Sequence, residues 1–209
     1  MSRLSRAVFV AVLILIIDQV IKFWIKTNMT LGQEFVVFDD WFKIHFTENK
    51  GMAFGWEIGG DGGKLILTSF RILAVAGIAW FLTHLAKHKY PFVALLSVSL
   101  VLAGALGNII DSVFYGLLFS ASTLASPAEF LPPGGGYESL MYGSVVDMFY
   151  FPLINTTYPE WIPYLGGNRL QFFRPVFNLA DASITVGVIL IIIFRKKFDT
   201  QDEPIVSVE

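Results

Sequence analysis

An aspartate interrupts an apolar stretch that is long enough to cross a lipid bilayer. Residues 177–194 read FNLADASITVGVILIIIF, and Asp181 lies inside this stretch with Asn178 three positions before it and Thr185 four positions after it. Spacings of three and four place these side chains on one face of a helix. Because inserting an ionisable side chain at such a position costs roughly 3 kcal/mol, Asp181 needs a polar partner, a water-filled cavity or a chemical role.

A second aspartate, Asp147, lies in the apolar, strand-like run GSVVDMF at 143–149. Two carboxylates brought together at a partly desolvated site cannot both ionise cheaply, so one of them keeps its proton. Such a pair can act as general base and general acid on one water molecule and hydrolyse a peptide bond without a metal or a covalent intermediate. The residues alone leave a structural alternative open, in which each acid caps a helix or forms hydrogen bonds within a bundle.

Other polar residues within apolar stretches look like support for such a site. Asp18 and Lys22 form an i,i+4 pair in the favourable order, and the Lys22 side chain can extend to the outer interface, so we interpret them as an ion pair that anchors a helix. The run GALGNIID combines small residues for close helix packing with the polar groups Asn108 and Asp111. Arg71 could pair with an acid or with a lipid phosphate, and the sequence does not choose.

Other catalytic chemistries find less support. His84 and His88 are four residues apart but lie far from the acids, and the chain has neither an HExxH motif nor a GxSxG motif. Ser144 and Ser183 flank the acids, so a Ser–Lys nucleophile pair stays open, although nothing positions a base beside either serine. We therefore expect neither a metal ion nor a cofactor.

Composition identifies a membrane protein. Of the 209 residues, 55% are hydrophobic and 15% are charged, whereas a soluble domain is about one-quarter charged and less than half apolar. The net charge of −2 and the lack of a basic run give no indication of nucleic-acid binding. The chain has no cysteine, which excludes disulfides and a thiol nucleophile. We predict a single integral membrane domain over residues 1–209.

We predict four membrane spans, at about 7–25, 65–85, 91–111 and 176–194. Lysines and arginines lie beside them at both termini and in the turn 86–90, so these parts of the chain are expected to be cytoplasmic. The segments 26–64 and 112–175 then lie outside. The first span follows two arginines as a signal peptide does, but it lacks a small-residue cleavage site, so we expect it to be retained.

This topology brings the polar groups of three spans to one level. With a rise of about 1.5 Å per residue, the outer third of the bilayer would contain Asp18, Asn108, Asp111, Asn178 and Asp181.

The two outer segments differ in their patterns. In the first, Glu34–Phe38 and Trp41–Thr47 read as strands, and they predict a small sheet whose apolar side faces lipid or substrate. The run ENKGMAFG at 48–55 is expected to turn back towards the membrane. The second segment contains PPGGG at 132–136, which predicts a loop.

Five motifs together resemble the bacterial lipoprotein signal peptidases, also called signal peptidase II. They are DQVIK at 18–22, NKGMAF at 49–54, GNIID at 107–111, GSVVD at 143–147 and FNLAD at 177–181, in the order found in the family. The resemblance implies an α-helical membrane protein: a four-transmembrane-helix bundle with a small extracytoplasmic β-sheet and a second extracytoplasmic segment over the active site. It also implies an aspartyl endopeptidase that removes signal peptides from diacylglyceryl-modified prolipoproteins, just before the lipidated cysteine.

The resemblance further implies a role for individual residues. Asp147 and Asp181 match the catalytic pair of the family. A supporting or substrate-binding role is implied for Asn49, Asn108, Asp111, Asn178, Asp18 and Lys22. We expect a monomer in the bacterial cytoplasmic (inner) membrane, with both termini cytoplasmic and the active site facing the outer side. Its partners would be prolipoprotein substrates and membrane lipids, without nucleic acid.

Two features depart from the family pattern. Ser112 follows Asp111, where the family usually has an arginine, so a guanidinium is missing or is supplied by Arg169 or Arg174. The residues Val113–Tyr142 form a long insertion that either caps the site or is a mobile outer loop. A non-catalytic membrane assembly protein remains an alternative, and an ion or proton carrier is disfavoured because no polar route reaches the cytoplasmic side.

Overall fold

The computed structural model describes residues 1–39, 41–50, 60–152, 154–164, 166–172 and 175–198. Within them, three helices are long and apolar enough to cross a membrane. They are α1 (Arg3–Asn28), α2 (Gly60–Lys87) and α3 (Phe92–Ile110), which continues beyond Ile110. A shorter apolar helix, α5 (Leu179–Ile193), has 15 residues. At about 1.5 Å per residue it is shorter than the hydrocarbon core of a bilayer.

The helical path of α3 extends past the predicted end of the third span at Asp111. A single π-helical turn, Asp111–Tyr115, follows α3 and leads into the short helix α4, Gly116–Leu118. A π-helical turn widens a helix locally and often occurs at functional sites. Here it begins at one of the acids singled out in the sequence.

The central helix is α3, because α1, α2 and α5 all pack against it. Small residues allow the close contacts. A Cβ atom on Gly104 would lie 2.2 Å from the backbone oxygen of Ala180, and one on Gly107 would lie 2.7 Å from a carboxylate oxygen of Asp18. The two glycines therefore bring α3 close to α5 and α1 at the level of the acidic residues.

A four-stranded antiparallel sheet covers one end of the helices, which we call the sheet end. Its order is β1 (Glu34–Phe38), β2 (Phe42–Asn49), β3 (Val145–Tyr150) and β6 (Val176–Phe177). A separate hairpin, β4 (Ile154–Thr157) and β5 (Arg169–Phe172), lies between β3 and β6 in the chain.

The stretch predicted as the fourth span starts differently in the structure. Val176 and Phe177 pair with β3 as a strand, and Phe149 lies opposite Phe177. Asn178 is the N-cap residue, so the helix begins only at Leu179. Composition alone cannot distinguish an apolar dipeptide before a helix from the first turn of that helix. Here the dipeptide is a strand because it pairs with β3, which is a tertiary interaction.

Apolar clusters occupy both ends of the helices. At the sheet end, Phe46 is fully buried with Ile25, Met29 and Met148. At the opposite end, Ala7 of α1 and Leu85 of α2 pack with residues of α3. The polar groups lie between the two clusters.

Candidate active site

Asp181 lies in the first turn of α5, where it forms a capping box with Asn178. The Asp181 amide donates to Asn178 Oδ1 at 2.9 Å, and the Asn178 amide donates to Asp181 Oδ2 at 3.3 Å. A carboxylate at this position is also stabilised by the helix dipole. Asn178 is thus a cap and not a member of the helical face expected from spacing. The Thr185 hydroxyl donates to the Asp181 backbone oxygen at 2.9 Å, so it supports the helix.

Asp147 lies in β3, across the sheet end from α5. Its Oδ1 accepts a hydrogen bond from Asn178 Nδ2 at 2.6 Å, and the same amide group lies 3.2 Å from the Val146 backbone oxygen. Asn178 is completely buried and Asp147 is 4% exposed. Residues 31 positions apart in the chain are therefore joined by one side-chain contact.

Asn108 completes the link between the two acids. Its Nδ2 donates to Asp181 Oδ1 at 2.7 Å, and its Oδ1 accepts from Asn178 Nδ2 at 3.0 Å and from Lys22 Nζ at 2.9 Å. The lysine can only donate, which fixes the orientation of the Asn108 amide. The structure thus joins Asp147 and Asp181 through two asparagines, one on α3 and one at the start of α5.

The environment of Asp147 favours its protonated form. Burial, followed by the charge of Asp181, raises the pKa of Asp147 to about 7, while the charge of Lys22 and the hydrogen bond from Asn178 act in the opposite direction. Asp181, by contrast, is partly exposed. The two carboxyls therefore differ in their access to water, as an acid and a base at one site would.

Lys22 lies at the centre of a second polar cluster. Its ammonium forms ion pairs with Asp111 at 2.8 Å and with Asp18 at 3.0 Å, and its side chain is fully buried. The prediction that the Lys22 side chain extends to the outer interface is therefore wrong, because two carboxylates surround its ammonium inside the bundle. Asp18 also accepts from the Ala180 amide at 2.9 Å, and Asp111 accepts from the Val146 amide at 3.2 Å. The cluster therefore fixes the residues next to Asp181 and Asp147.

Gln19 and Tyr115 extend this cluster. Gln19 Nε2 donates to Asp111 Oδ1 at 3.0 Å, and the Tyr115 hydroxyl donates to Gln19 Oε1 at 3.2 Å. Both residues were outside the predicted site, although Gln19 adjoins Asp18 in the first motif.

Arg71 of α2 is a site residue that sequence reasoning left unassigned. Its charge interacts with Asp181 and, to a smaller extent, with Asp147. One turn earlier, Thr68 Oγ1 donates to the Met141 backbone oxygen at 3.2 Å, so this face of α2 lies against the segment before β3. Of the two kinds of partner expected for Arg71, the acids are therefore within electrostatic range. The sequence contains one signal for this role: Arg71 lies at a depth in the second predicted span similar to the depth of the acids in their spans.

The other candidate residues lie on β2, on β5 and in the turn after α3, or outside the described residues. Asn49 is exposed at the end of β2, opposite Val145 in the ladder. The rest of its motif, residues 51–54, lies outside the described residues, as does Arg174. Arg169 is in β5. The Ser112 hydroxyl donates to the Asn108 backbone oxygen at 2.9 Å.

The alternative chemistries gain no support in the described part of the chain. The Ser183 hydroxyl donates to the Leu100 backbone oxygen at 2.8 Å, so its proton is engaged with the backbone of α3. Within the described residues, no group of three or more His, Asp or Glu side chains could hold a metal ion. The rings of His84 and His88 lie 4.1 Å apart near the C-terminal end of α2, remote from the acids.

Fold and site together define an integral membrane protein. Near one end of its helices, two carboxyl groups are joined by hydrogen bonds through two asparagine side chains. The model of the signal peptidase (SPase) II family matches residues 10–196. The chain therefore belongs to the signal peptidase II family, as its five motifs predicted.

Individual relatives agree with this assignment. The lipoprotein signal peptidase of Porphyromonas gingivalis is 50% identical over 197 residues, covering 92% of this chain and 85% of that protein. The lipoprotein signal peptidase of Amoebophilus asiaticus is 38% identical over 190 residues, covering 90% and 76%. A bacterial membrane enzyme solved at 2.3 Å by the in meso method is 26% identical, with a TM-score of 0.60 and coverage of 95% and 92%. The predominantly helical membrane fold with a small antiparallel sheet is thereby confirmed.

Proposed function

We propose that this protein is a membrane-embedded aspartyl endopeptidase that removes signal peptides from diacylglyceryl-modified prolipoproteins, cleaving just before the lipidated cysteine. The observation that carries the proposal is the link between Asp147 and Asp181. The two acids come from β3 and α5, and hydrogen bonds through Asn178 and Asn108 join them. The relatives from Porphyromonas gingivalis and Amoebophilus asiaticus are named lipoprotein signal peptidases, which supports the removal of signal peptides from prolipoproteins.

In the proposed mechanism Asp181 acts first as general base and Asp147 acts first as general acid. Asp181, the more accessible carboxylate, takes a proton from water as the water oxygen attacks the scissile carbonyl. Asp147, whose pKa burial raises to about 7, donates its proton to the carbonyl oxygen. When the tetrahedral intermediate collapses, Asp181 passes its proton to the leaving nitrogen and Asp147 takes back the hydroxyl proton. Both acids thus return to their starting states.

The two asparagines and the Lys22 cluster keep this geometry in place. The Asn108 side chain donates to Asp181, the Asn178 side chain donates to Asp147, and the two side chains contact each other, so neither acid can rotate freely. Asp18 and Asp111, paired with Lys22, hold backbone amides next to the catalytic acids. We propose that these residues support the site and do not react.

The helix arrangement offers a route for a lipid-linked substrate. Helices α2 and α5 both pack against α3, and within the described residues they make no comparable contact with each other. The charges of Arg71 on α2 and Asp181 on α5 interact, so these two residues lie on the helices that would flank such a route. We propose that the diacylglyceryl chains enter here from the bilayer, and that Arg71 binds the substrate backbone near the cleavage site.

The distribution of basic residues supports the proposed orientation. Arg6 lies 5.0 Å from the centre of the Phe92 ring, at the end opposite the sheet end. The residues that follow α2 and α5 at that same end include Lys89 and the run Arg195–Lys197. We propose four spans in the bacterial cytoplasmic membrane, with both termini in the cytoplasm and the active site of a monomer at the outer face.

A cleavage assay with purified protein in detergent or nanodiscs tests the function. A diacylglyceryl-modified precursor should be cut so that the new N-terminus is the lipidated cysteine, as measured by mass spectrometry. The same precursor without lipid should be cut far more slowly, and a chelator should leave the rate unchanged. Equal turnover of the unmodified precursor, or cleavage at another bond, would contradict the proposed specificity.

A further inference from the structure

The insertion, residues 113–142, packs across the sheet end of α1. The Leu31 amide donates to the Thr123 backbone oxygen at 2.9 Å, and the Ala128 amide donates to the Lys26 backbone oxygen at 3.0 Å. The insertion thus forms hydrogen bonds with one backbone group of α1 and one backbone group of the turn that follows it.

A buried lysine fastens the insertion to the sheet. Lys26 Nζ lies 2.5 Å from Glu48 Oε1 in β2, and the Ser122 hydroxyl donates to the same oxygen at 2.6 Å. The ammonium also lies 4.8 Å from the centre of the Tyr137 ring and 5.5 Å from that of Phe119. Lys26 is fully buried, so these contacts are shielded from solvent. Three residues of the insertion thus enclose a cation that joins α1 to β2.

Tyr137 extends this framework to the strand of Asp147. Its hydroxyl oxygen accepts a hydrogen bond from the Ser144 amide at 2.6 Å, three residues before Asp147. Two residues further on, within β3, the Val146 amide donates to Asp111 at 3.2 Å. Burial raises the pKa of Tyr137 to about 12, so its hydroxyl is neutral at physiological pH. Side chains from the insertion and from the end of α3 therefore hold alternate amides of the segment that leads to Asp147.

We propose that the insertion is a scaffold that positions Asp147, and that Tyr137 is its main positioning residue. The inference rests on the proposed catalytic role of Asp147. Without the Tyr137 hydroxyl, the Ser144 amide just before β3 loses its hydrogen-bond acceptor. The Asp147 carboxyl then shifts relative to Asp181. A misplacement of 1 Å in an active site can lower the rate by about 10²-fold.

The test is Tyr137→Phe, which removes the hydroxyl and keeps the ring beside Lys26. We expect kcat for a diacylglyceryl-modified precursor to fall about tenfold, less than the ~10² for a full 1 Å shift, with KM unchanged within about twofold. The control is Tyr142→Phe, five residues along the same segment, where the hydroxyl makes no hydrogen bond to β3 among the described residues. It should keep the wild-type kcat.

The pH profile of kcat separates positioning from a general loss of stability. A loosened β3 admits water to Asp147, so the burial that raises its pKa is reduced and the alkaline limb of the profile moves to lower pH. The charged groups that face Asp147 stay the same in the variant: Asp181 of α5, Lys22 of α1, Asp111 after α3 and Arg71 of α2. A variant that is only less stable would keep the wild-type profile.

A second variant, Ser122→Ala, removes the hydroxyl that bonds Glu48 at the far side of the scaffold. It should lower kcat in the same direction but by less, about threefold for a bond one step further from the site. Wild-type kcat in Tyr137→Phe, or a lower melting temperature with an unchanged pH profile, would overturn the scaffold. If Asp147→Asn itself still cleaved the precursor, the proposed function would fail instead, whatever Tyr137→Phe did.

Discussion

Replacing Asp147 with asparagine should stabilise the protein while abolishing cleavage. Burial raises the pKa of Asp147 from 3.8 to about 7 in the folded protein. The folded state therefore binds this proton more tightly than the unfolded state. The contribution of Asp147 to stability is complete below about pH 4 and is lost as the pH rises through 7. With about 1.4 kcal/mol for each tenfold change in proton affinity, ionised Asp147 costs up to roughly 4 kcal/mol at pH 8.

Asparagine removes this cost because it carries no charge. Its Oδ1 can still accept the hydrogen bond that Asn178 donates to Asp147 Oδ1 at 2.6 Å. At pH 5 the wild-type penalty is only about 2 kcal/mol, because the folded state keeps the proton while the unfolded state, with its lower pKa, already loses it. The gain in the free energy of unfolding should therefore be larger at pH 8 than at pH 5 by about 2 kcal/mol. For a chain of this size, that corresponds to an additional rise in Tm of about 4–8 °C.

Thermal unfolding in detergent at both pH values measures this difference. Glu138→Gln is the control, because Glu138 is an exposed carboxylate on the same side of the molecule. It should change stability by less than about 0.5 kcal/mol at either pH. A lower Tm of Asp147→Asn at pH 8, as expected if the acid only held helices together, would refute the reasoning. So would a gain of equal size at both pH values.

Three further changes test the surroundings of the acids. Lys22→Gln leaves two carboxylates buried without their cation and should lower the free energy of unfolding by about 3–5 kcal/mol, measured as a fall in Tm. Gly104→Ala places a Cβ atom 2.2 Å from the backbone oxygen of Ala180, so it should cost about 1–3 kcal/mol in the same assay. Arg71→Gln removes the positive charge that interacts with Asp181 and should lower kcat/KM for the lipidated precursor by about 10²-fold.

Each of these changes has a matched control in the chain. Lys43→Gln removes a partly exposed lysine of β2, and Gly77→Ala adds a methyl group where nothing lies within 4 Å. Both should leave Tm nearly unchanged, and equal effects in test and control would contradict the proposed contacts. Arg71→Lys keeps the charge and should retain part of the activity. If Arg71→Lys lost as much activity as Arg71→Gln, the geometry of the guanidinium, and not its charge alone, would be required.

Much of the fold follows from local sequence patterns. Long apolar runs predict helices wherever they occur, and the alternation in Phe42–Thr47 identifies a strand of the sheet. The start of α5 could not be read in this way. Val176 and Phe177 are as apolar as the helix that follows, and only pairing with β3 makes them a strand. The family was predictable because five motifs occur in order, although each alone is weak.

The candidate site shows the same division between local and tertiary information. The spacing of Asp18 and Lys22 predicts an ion pair, and the structure contains it at 3.0 Å. That Lys22 is fully buried could not be foreseen, because it depends on Asp111, 89 positions away in the chain. The contact of Tyr137 with Ser144 likewise depends on how the insertion folds, and no local pattern indicates it.

The central claim is that Asp147 and Asp181 act together on one peptide bond. The most direct measurement is the cleavage rate of a diacylglyceryl-modified precursor by Asp147→Asn and Asp181→Asn side by side, with Glu138→Gln as a control and Tm recorded for each. Both aspartate variants should remain folded and lose at least about 10²-fold in rate, while the control cleaves as the wild type does. Substantial cleavage by either folded aspartate variant would contradict the account.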